Sequence, residues 1–439
     1  MPERTLCRIL FLALCLAPTV LVSGWTAVLH SPAYRSAVRQ HWAEEFTRNT
    51  SLGIRPTQLR RLRNGDYQLG QVELLGVDGA PLAVAHEVRI EQSDGVPQWR
   101  ASRLELRRDA LEQLWDTLDH RALRSVSQAL GQWHLSIAEA KIECGDRGVE
   151  RLLEVDGVLR LAGDVRSLEV RFVCPEELST RRPPPIELIV AHRVAGSESP
   201  PPGPLPTVAL PAREPPLTHI KLHAGAGIPA RLLSEDLRRM AGERCRLFGQ
   251  AHAVRENGSW SVKVHDTRLQ DIDLSRWSSG AATIRAMAQL DVTMAAFVDG
   301  RPVQLDGRLA AEDGELSSEA LQALTQHLEV DAPAHAARST SFGFRQLAVR
   351  IWLRPHWQEG LALMGDCPGP HASESGEHVI LVDSRGTALL ASRPRYVSHG
   401  ALQRALAASG IDQLVASRRA PSPLSGSVAA QPAPARSTR

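Results

Sequence analysis

The sequence predicts a mainly β protein: an N-terminal transmembrane helix, antiparallel β-meander domains behind it, and a few short helices. Three observations predict this. One uncharged apolar run opens the chain, Asx-Gly pairs recur along the rest of it, and the segments between those pairs alternate apolar with polar residues.

The apolar run covers residues 9–29 (ILFLALCLAPTVLVSGWTAVL) and holds no charged side chain. As a helix it would reach about 31 Å, the thickness of a bilayer's hydrocarbon core. Elsewhere Arg, Glu, Asp or Gly interrupts the chain every few residues, so a second span is not expected. Two readings of the run stay open. It is an uncleaved anchor, or it is a signal peptide with Arg4 and Arg8 as its n-region and small residues near Val22-Ser23-Gly24. Pro18, Thr19 and Ser23 weaken it as a lipid span, whereas its direct continuation into an amphipathic helix favours retention. Cys15 does not read as a lipidation site, because Leu14 stands where a small residue is needed. Arg4 and Arg8 before the run nearly balance Arg35 and Arg39 after it. The N-terminus is placed inside because a single long translocated region follows. The expectation is a single-pass protein of a bacterial inner membrane with its body in the periplasm.

With 439 residues, 43% of them hydrophobic and 23% charged, the chain can bury one large core or two moderate ones. A net charge of +2 gives no reason to expect nucleic acid as a partner. Only Lys141, Lys221 and Lys263 among the 51 basic residues are lysine, a skew that a GC-rich genome explains better than a function does. Behind the leader's Cys7 and Cys15, the exported body keeps Cys144, Cys174, Cys245 and Cys367, which allows one or two disulfides. Cys144 with Cys174 is the preferred pair, since each ends a predicted strand in the same region.

After the run, Tyr34, Val38, Trp42 and Phe46 recur every four residues as one apolar stripe on a short helix. That helix caps the first β layer or lies on the membrane surface. Asx-Gly pairs at Asn64, Asp78, Asp94, Asp156, Asn257, Asp299, Asp306 and Asp313 mark two-residue hairpin turns, which need positive φ. Between them, Leu82, Val84, Val88 and Ile90 share one face, as do Leu168, Val170, Phe172 and Cys174. Trp260, Val262 and Val264 follow the same period, with two further strands at 290–298 and 347–353. Asp109 with Glu112 makes a capping-box-like start for a helix that continues at helical spacing to Leu130. Short helices are expected at 228–240, 318–328 and 399–408. The Pro-rich stretch 198–216 reads as a semi-rigid linker, and the Ala/Pro/Ser-rich end as disordered. The resulting order is an anchor or signal peptide (1–30), a β-rich domain with the amphipathic helix (31–195) and a linker (196–217). A second β-rich domain (218–415) and a disordered tail (416–439) complete it.

No catalytic, cofactor or metal motif emerges: no nucleophile elbow, phosphate loop, GxGxxG or HExxH is present. His371 and His378 flank a Ser/Glu/Gly-rich loop whose spacing fits no pair of ligands on a helix face. Asp271 and Asp273 share a strand face, but Arg268 and Arg276 beside them read as their ion-pair partners. An exported enzyme would need His356, His371, His378 and Asp366 to meet in one buried cluster.

Two stretches carry a resemblance. TSLGIRPTQLRRLRNGDYQLGQVELLGVDGAPLAVAHEVRIE ends a strand in an Asp-Gly turn and then gives two more strands, and WHLSIAEAKIE follows the helix begun at Asp109. IPARLLSEDLRRMAG leads into GQAHAVRENGSWSVKVHDTRLQDIDLSRW, a helix followed by a hairpin and a terminal DL segment. Together they cover under a third of the chain and resemble the AsmA-like family of bacterial envelope proteins. The resemblance implies a membrane-anchored, non-enzymatic role in envelope maintenance or outer-membrane assembly. It also implies an apolar β groove able to hold phospholipid. The apolar strand faces either form such a groove or close into a core; in the second case the chain is a scaffold for envelope partners.

Overall fold

The computed structural model describes residues 17–50, 52–62, 66–76, 79–93, 96–124, 132–145, 148–162, 165–175, 183–193, 217–233, 235–256, 258–277, 282–299, 301–328, 340–353, 360–367, 378–392 and 395–398. The start of the apolar run, the Pro-rich stretch, the helix expected at 399–408 and the tail lie outside them. Among the described residues no helix is long and apolar enough to cross a membrane. The protein is mainly β, with few short helices.

Helix α1 (Ala17–His30) carries exposed Val20, Val22, Trp25 and Val28. Ser31 then caps α2 (Pro32–Thr50): its Oγ accepts the Tyr34 backbone N–H at 3.2 Å, and Pro32 takes the first helical position, where its missing N–H costs nothing. Of the predicted stripe, Trp42 and Phe46 are buried. Phe46 meets the Trp99 ring edge-on at 4.6 Å, and Trp42 meets Tyr67 at 5.7 Å. The second half of α2 therefore caps the first strands.

The chain divides into two compact units, Met1–Ile228 with Phe248–Thr267 and Ala296–Arg301, and Pro229–Leu247 with Arg268–Ala295 and Pro302–Arg439. In the first, β1 (Gly53–Pro56) and β2 (Leu59–Arg61) both pair with β3 (Tyr67–Leu75), which leads antiparallel to β4 (Pro81–Ser93) and β5 (Val96–Arg107). The meander breaks once: β5 and β6 (Trp133–Glu143) are parallel. Helix α3 (Arg108–Thr117) and a π-helical turn (Leu118–Leu123) make the crossover that parallel pairing requires. The expected capping box is not formed, because the helix starts two residues early, with Arg107 rather than Asp109 at the cap and no side-chain bond. Antiparallel pairing resumes through β7 (Val149–Ala162), β8 (Val165–Val173), β9 (Ile186–Arg193) and β10 (Leu217–Pro229).

The β9–β10 pairing corrects the linker reading. Leu217 faces Arg193, and the ladder continues to Ala224 opposite Ile186, so residues 194–216 join two hydrogen-bonded neighbours. They do not separate two domains; the first unit runs on to Ile228. Bulges correct the strand faces. Glu87 at φ 50° reverses the phase of β4 while its register with β3 and β5 continues unbroken, so Ala83 and Ala85 share burial with Val88 and Ile90. Glu154 at φ 51° adds a residue to β7 where it shifts register against β8.

The Asx-Gly pairs at Asn64, Asp78, Asp94, Asn257 and Asp299 lie wholly or partly outside the described residues, and Asp156, Asp306 and Asp313 lie inside β7 and β14 (Arg301–Ser317) rather than in turns. At Asp313-Gly314 the glycine makes room, since a Cβ on Gly314 would run into the Phe344 ring. The expected Cys144–Cys174 bridge is not made either, and all four body cysteines are free. Cys144 bonds to Gly148 at one end of β7, whereas Cys174 follows Val173, which faces Leu153. Two strand spacings and several residues of rise separate them, on the order of 15 Å, beyond disulfide reach.

β11 (Arg246–Glu256), β12 (Ser259–Asp273) and β13 (Ile284–Val298) contribute residues to both units, as does β14. In the second unit, α4 (Ala230–Leu233) and α5 (Glu235–Ala241) divide the helix expected at 228–240, and Trp277 donates its indole N–H to the Met240 carbonyl at 2.7 Å. Ser317 caps α6 (Ser318–Leu328), which leads into β15 (Ser341–Leu353) antiparallel to β14. β15 is flanked by β16 (Gly360–Gly365) and β17 (His378–Asp383), which pair with β19 (Arg395–Ser398) and β18 (Ala388–Ser392). The core holds Leu274, Leu316, Phe344, Leu381 and Leu390.

Candidate functional site

Register across β6–β10 writes the inner face of the first unit as rows. Trp133 faces Leu159, Leu159 faces Leu168, Leu168 faces Val190, and Val190 faces Ile220. Leu123 of the π-helical turn closes on this row, leaving Leu159 and Val190 only 1% exposed. This part of the face is a closed core. One pleat further, the row turns polar: Arg166 faces His192, which faces Thr218. All three are buried, and His192 Nδ1 lies 2.8 Å from Thr218 Oγ1.

The π-helical turn overhangs that polar row. Arg124 at its end donates to Asp119 at 2.6 Å, and its backbone N–H reaches the Asp119 carbonyl. From β11, Arg255 lies over the Trp260 ring, 5.7 Å from its centroid. Burial, then the Arg124 charge, hold His192 below the usual imidazole range; Arg166 and Arg255 add to this and Asp119 opposes it. Three guanidinium groups and one carboxylate thus bear on one neutral imidazole. Burial lowers the proton affinity of Arg166 but not far enough to discharge a guanidinium.

Beyond Arg255 the same face opens. His219 and Lys221 point outward, where His219 stacks on His252 with ring nitrogens 3.4 Å apart and Lys263 acts on His252. By the period of two, Ile220, Leu222, Val262 and Val264 point inward, with Trp260. All five are half-buried; Ile220 packs against the closed row, and the other four lie beyond it.

Three other places were candidates. A cleft of about 630 Å³ lies against β5–β8, lined by Arg100, Ser136, Glu154, Asp156 and Arg171. Its charges are engaged: Arg171 with Glu169 at 2.7 Å, Arg100 with Glu91 at 3.4 Å, and His134 with Asp156 at 2.6 Å. Ser136 faces Asp156 in register. Among the described residues no group of three or more His, Cys, Asp or Glu side chains could hold a metal. Asp273 accepts from Ser275 and pairs with Arg276 at 3.5 Å, while Arg268 pairs with Asp291 at 2.7 Å rather than with Asp271. His356 and His371 lie outside the described residues, His378 opens β17, and Asp366 is bonded to Arg308.

The polar row was missed in the sequence, though it left a signal. Arg166, His192 and Thr218 each occupy the inward phase of an apolar strand, two residues from Leu168, Val190 and Ile220. A polar residue in that phase marks a place where the core stops being only a core. Compared with protein-family models, with curated proteins and with solved structures, the chain finds no match.

Proposed function

We propose that this chain is a membrane-tethered, non-catalytic protein of the bacterial envelope, AsmA-like in kind. Its periplasmic body holds or passes lipid in the service of envelope maintenance. One observation carries the reading: the half-buried apolar strip Leu222, Trp260, Val262 and Val264 continues a face that is closed over β6–β9. Acyl chains need only apolar area, and such a strip supplies it at about 25 cal/mol per Å² covered. The exposed apolar side chains of α1 fit the tether. A second reading, a scaffold without cargo, is favoured by the closed Trp133–Leu159–Leu168–Val190 row and the engaged charges of the cleft.

The test uses a full chain carrying a protease site after residue 30, purified and then cut. Organic extraction and mass spectrometry of the released body should find phospholipid at near one per chain, and less in Val262→Asp. A lipid-free body under mild conditions would refute lipid handling and leave the scaffold. Alkaline washing of membranes tests the tether; release with a shortened N-terminus would establish a cleaved signal peptide.

A further inference from the structure

Basic charge is not spread evenly along this chain. Its net charge is +2, yet residues 31–65 alone hold seven arginines and two carboxylates. These residues directly follow α1, whose Val20, Val22, Trp25 and Val28 are 53–66% exposed. The first half of α2 is uncovered as well. Pro32, Arg35, Ser36, Ala37 and Gln40 are exposed, and only further on are Trp42 and Phe46 buried against the strands.

The strands bring more cations to the same helix. Arg39, one turn after Arg35, donates to the Thr57 carbonyl at 2.8 Å and so holds the start of β2 beside α2. β2 then presents exposed Arg60 and Arg61, and Arg61 faces Tyr67, whose ring lies 5.7 Å from that of Trp42. Both carboxylates belong to the later part of α2 and are engaged there: Glu44 accepts from Gln40 at 2.9 Å, and Glu45 lies 3.5 Å from His41. The next carboxylate along the chain is Asp66, just before β3. Among the described residues no ion pair answers Arg35, Arg60 or Arg61, whereas Arg55 pairs with Glu73 at 3.2 Å.

We infer that the uncovered half of α2 and the adjoining β2 form a basic collar that docks on the anionic phospholipid headgroups of the bilayer holding α1. The inference rests on the tether in the proposed function and names the lipid surface that the tethered body meets. A guanidinium stays charged at any physiological pH, and its planar fork of donors matches phosphate oxygens. Arg35 and Arg39 follow His30 by about 8 and 14 Å of helical rise, within two Debye lengths at physiological salt. Basic residues so close to a lipid span are drawn to a negative surface. Exposed Trp25, about 8 Å before His30, is the kind of side chain that sits at headgroup level.

The test reconstitutes the full chain in phosphatidylcholine vesicles carrying trace spin-labelled phosphatidylglycerol or spin-labelled phosphatidylcholine. Electron paramagnetic resonance reads the fraction of each label immobilised by the protein. At about 0.1 M salt the phosphatidylglycerol label should associate roughly threefold or more over the other, and the two should become equal near about 1 M, where the Debye length is about 3 Å. Arg35→Gln with Arg60→Gln and Arg61→Gln should abolish the preference without altering the circular-dichroism melt. The same three positions changed to lysine, which keeps the charge, should retain it, and Arg35→Gln alone should remove part of it. Equal association of the two labels with the parent, or a preference that survives the glutamine triple, would overturn the collar and leave the tether standing. A chain that separates from the vesicles on flotation would overturn both.

Discussion

Replacing Leu159 and Val262 by alanine separates a closed core from an open strip. Leu159→Ala removes three carbons from a position 1% exposed. At about 0.8 kcal/mol per buried carbon the transfer loss is about 2.4 kcal/mol. The cavity left between Trp133, Leu168 and Val190 raises the total to about 3–4 kcal/mol, since close-packed rows collapse incompletely. Val262→Ala removes two carbons from a half-buried position, so its cost should stay below about 1 kcal/mol. Hydrogen exchange read by mass spectrometry localises the effect. Amides of β7 and β8 should exchange about 100- to 1,000-fold faster in Leu159→Ala and nearly normally in Val262→Ala, a tenfold change being about 1.4 kcal/mol. Equal losses in the two variants would mean that the strip is packed as tightly as the core. The open face, and the function built on it, would then be refuted.

Further outcomes follow from the same geometry. His192 is held neutral by burial and by Arg124, so the folded state binds its proton less readily than the unfolded chain. Its contribution to stability is present above about pH 6.5 and is lost as pH falls from there towards the lowered folded value. Urea midpoints measured from pH 7.5 to 5 should fall less steeply in His192→Gln than in the parent, and parallel slopes would contradict the assignment. Gly249 has φ 118° and a Cβ there would meet Thr267 Cα at 2.5 Å, so Gly249→Ala should cost about 3 kcal/mol in a denaturant melt. A near-neutral result would mean that the β11–β12 contact is looser than drawn. Burial pushes the Cys245 and Cys367 thiols up to about 11. Iodoacetamide at pH 8 should therefore modify half-buried Cys144 well before either, and a peptide map should contain no Cys144–Cys174 link.

The sequence by itself determined the class of fold, because a period of two with turn residues between the runs leaves little choice but antiparallel strands. It placed the helix before β1, since Trp42 and Phe46 recur at helical spacing, and it placed α6 from the apolar spacing after Ser318. It overestimated the regularity of the strands. Nothing in Glu87 or Glu154 announces a positive φ, because acidic residues have no local need for one; neighbouring strands impose it. It also mistook a proline-rich stretch for a divider. Proline forbids pairing within the stretch but says nothing about whether its two ends meet, and Arg193 opposite Leu217 shows that they do. The candidate site is the extreme case. Arg166, His192 and Thr218 are ordinary residues in three separate strands, and only cross-strand register brings them together. Local pattern fixed which residues point inward. Tertiary structure alone decided which of them meet, because electrostatics and burial depend on distance in space.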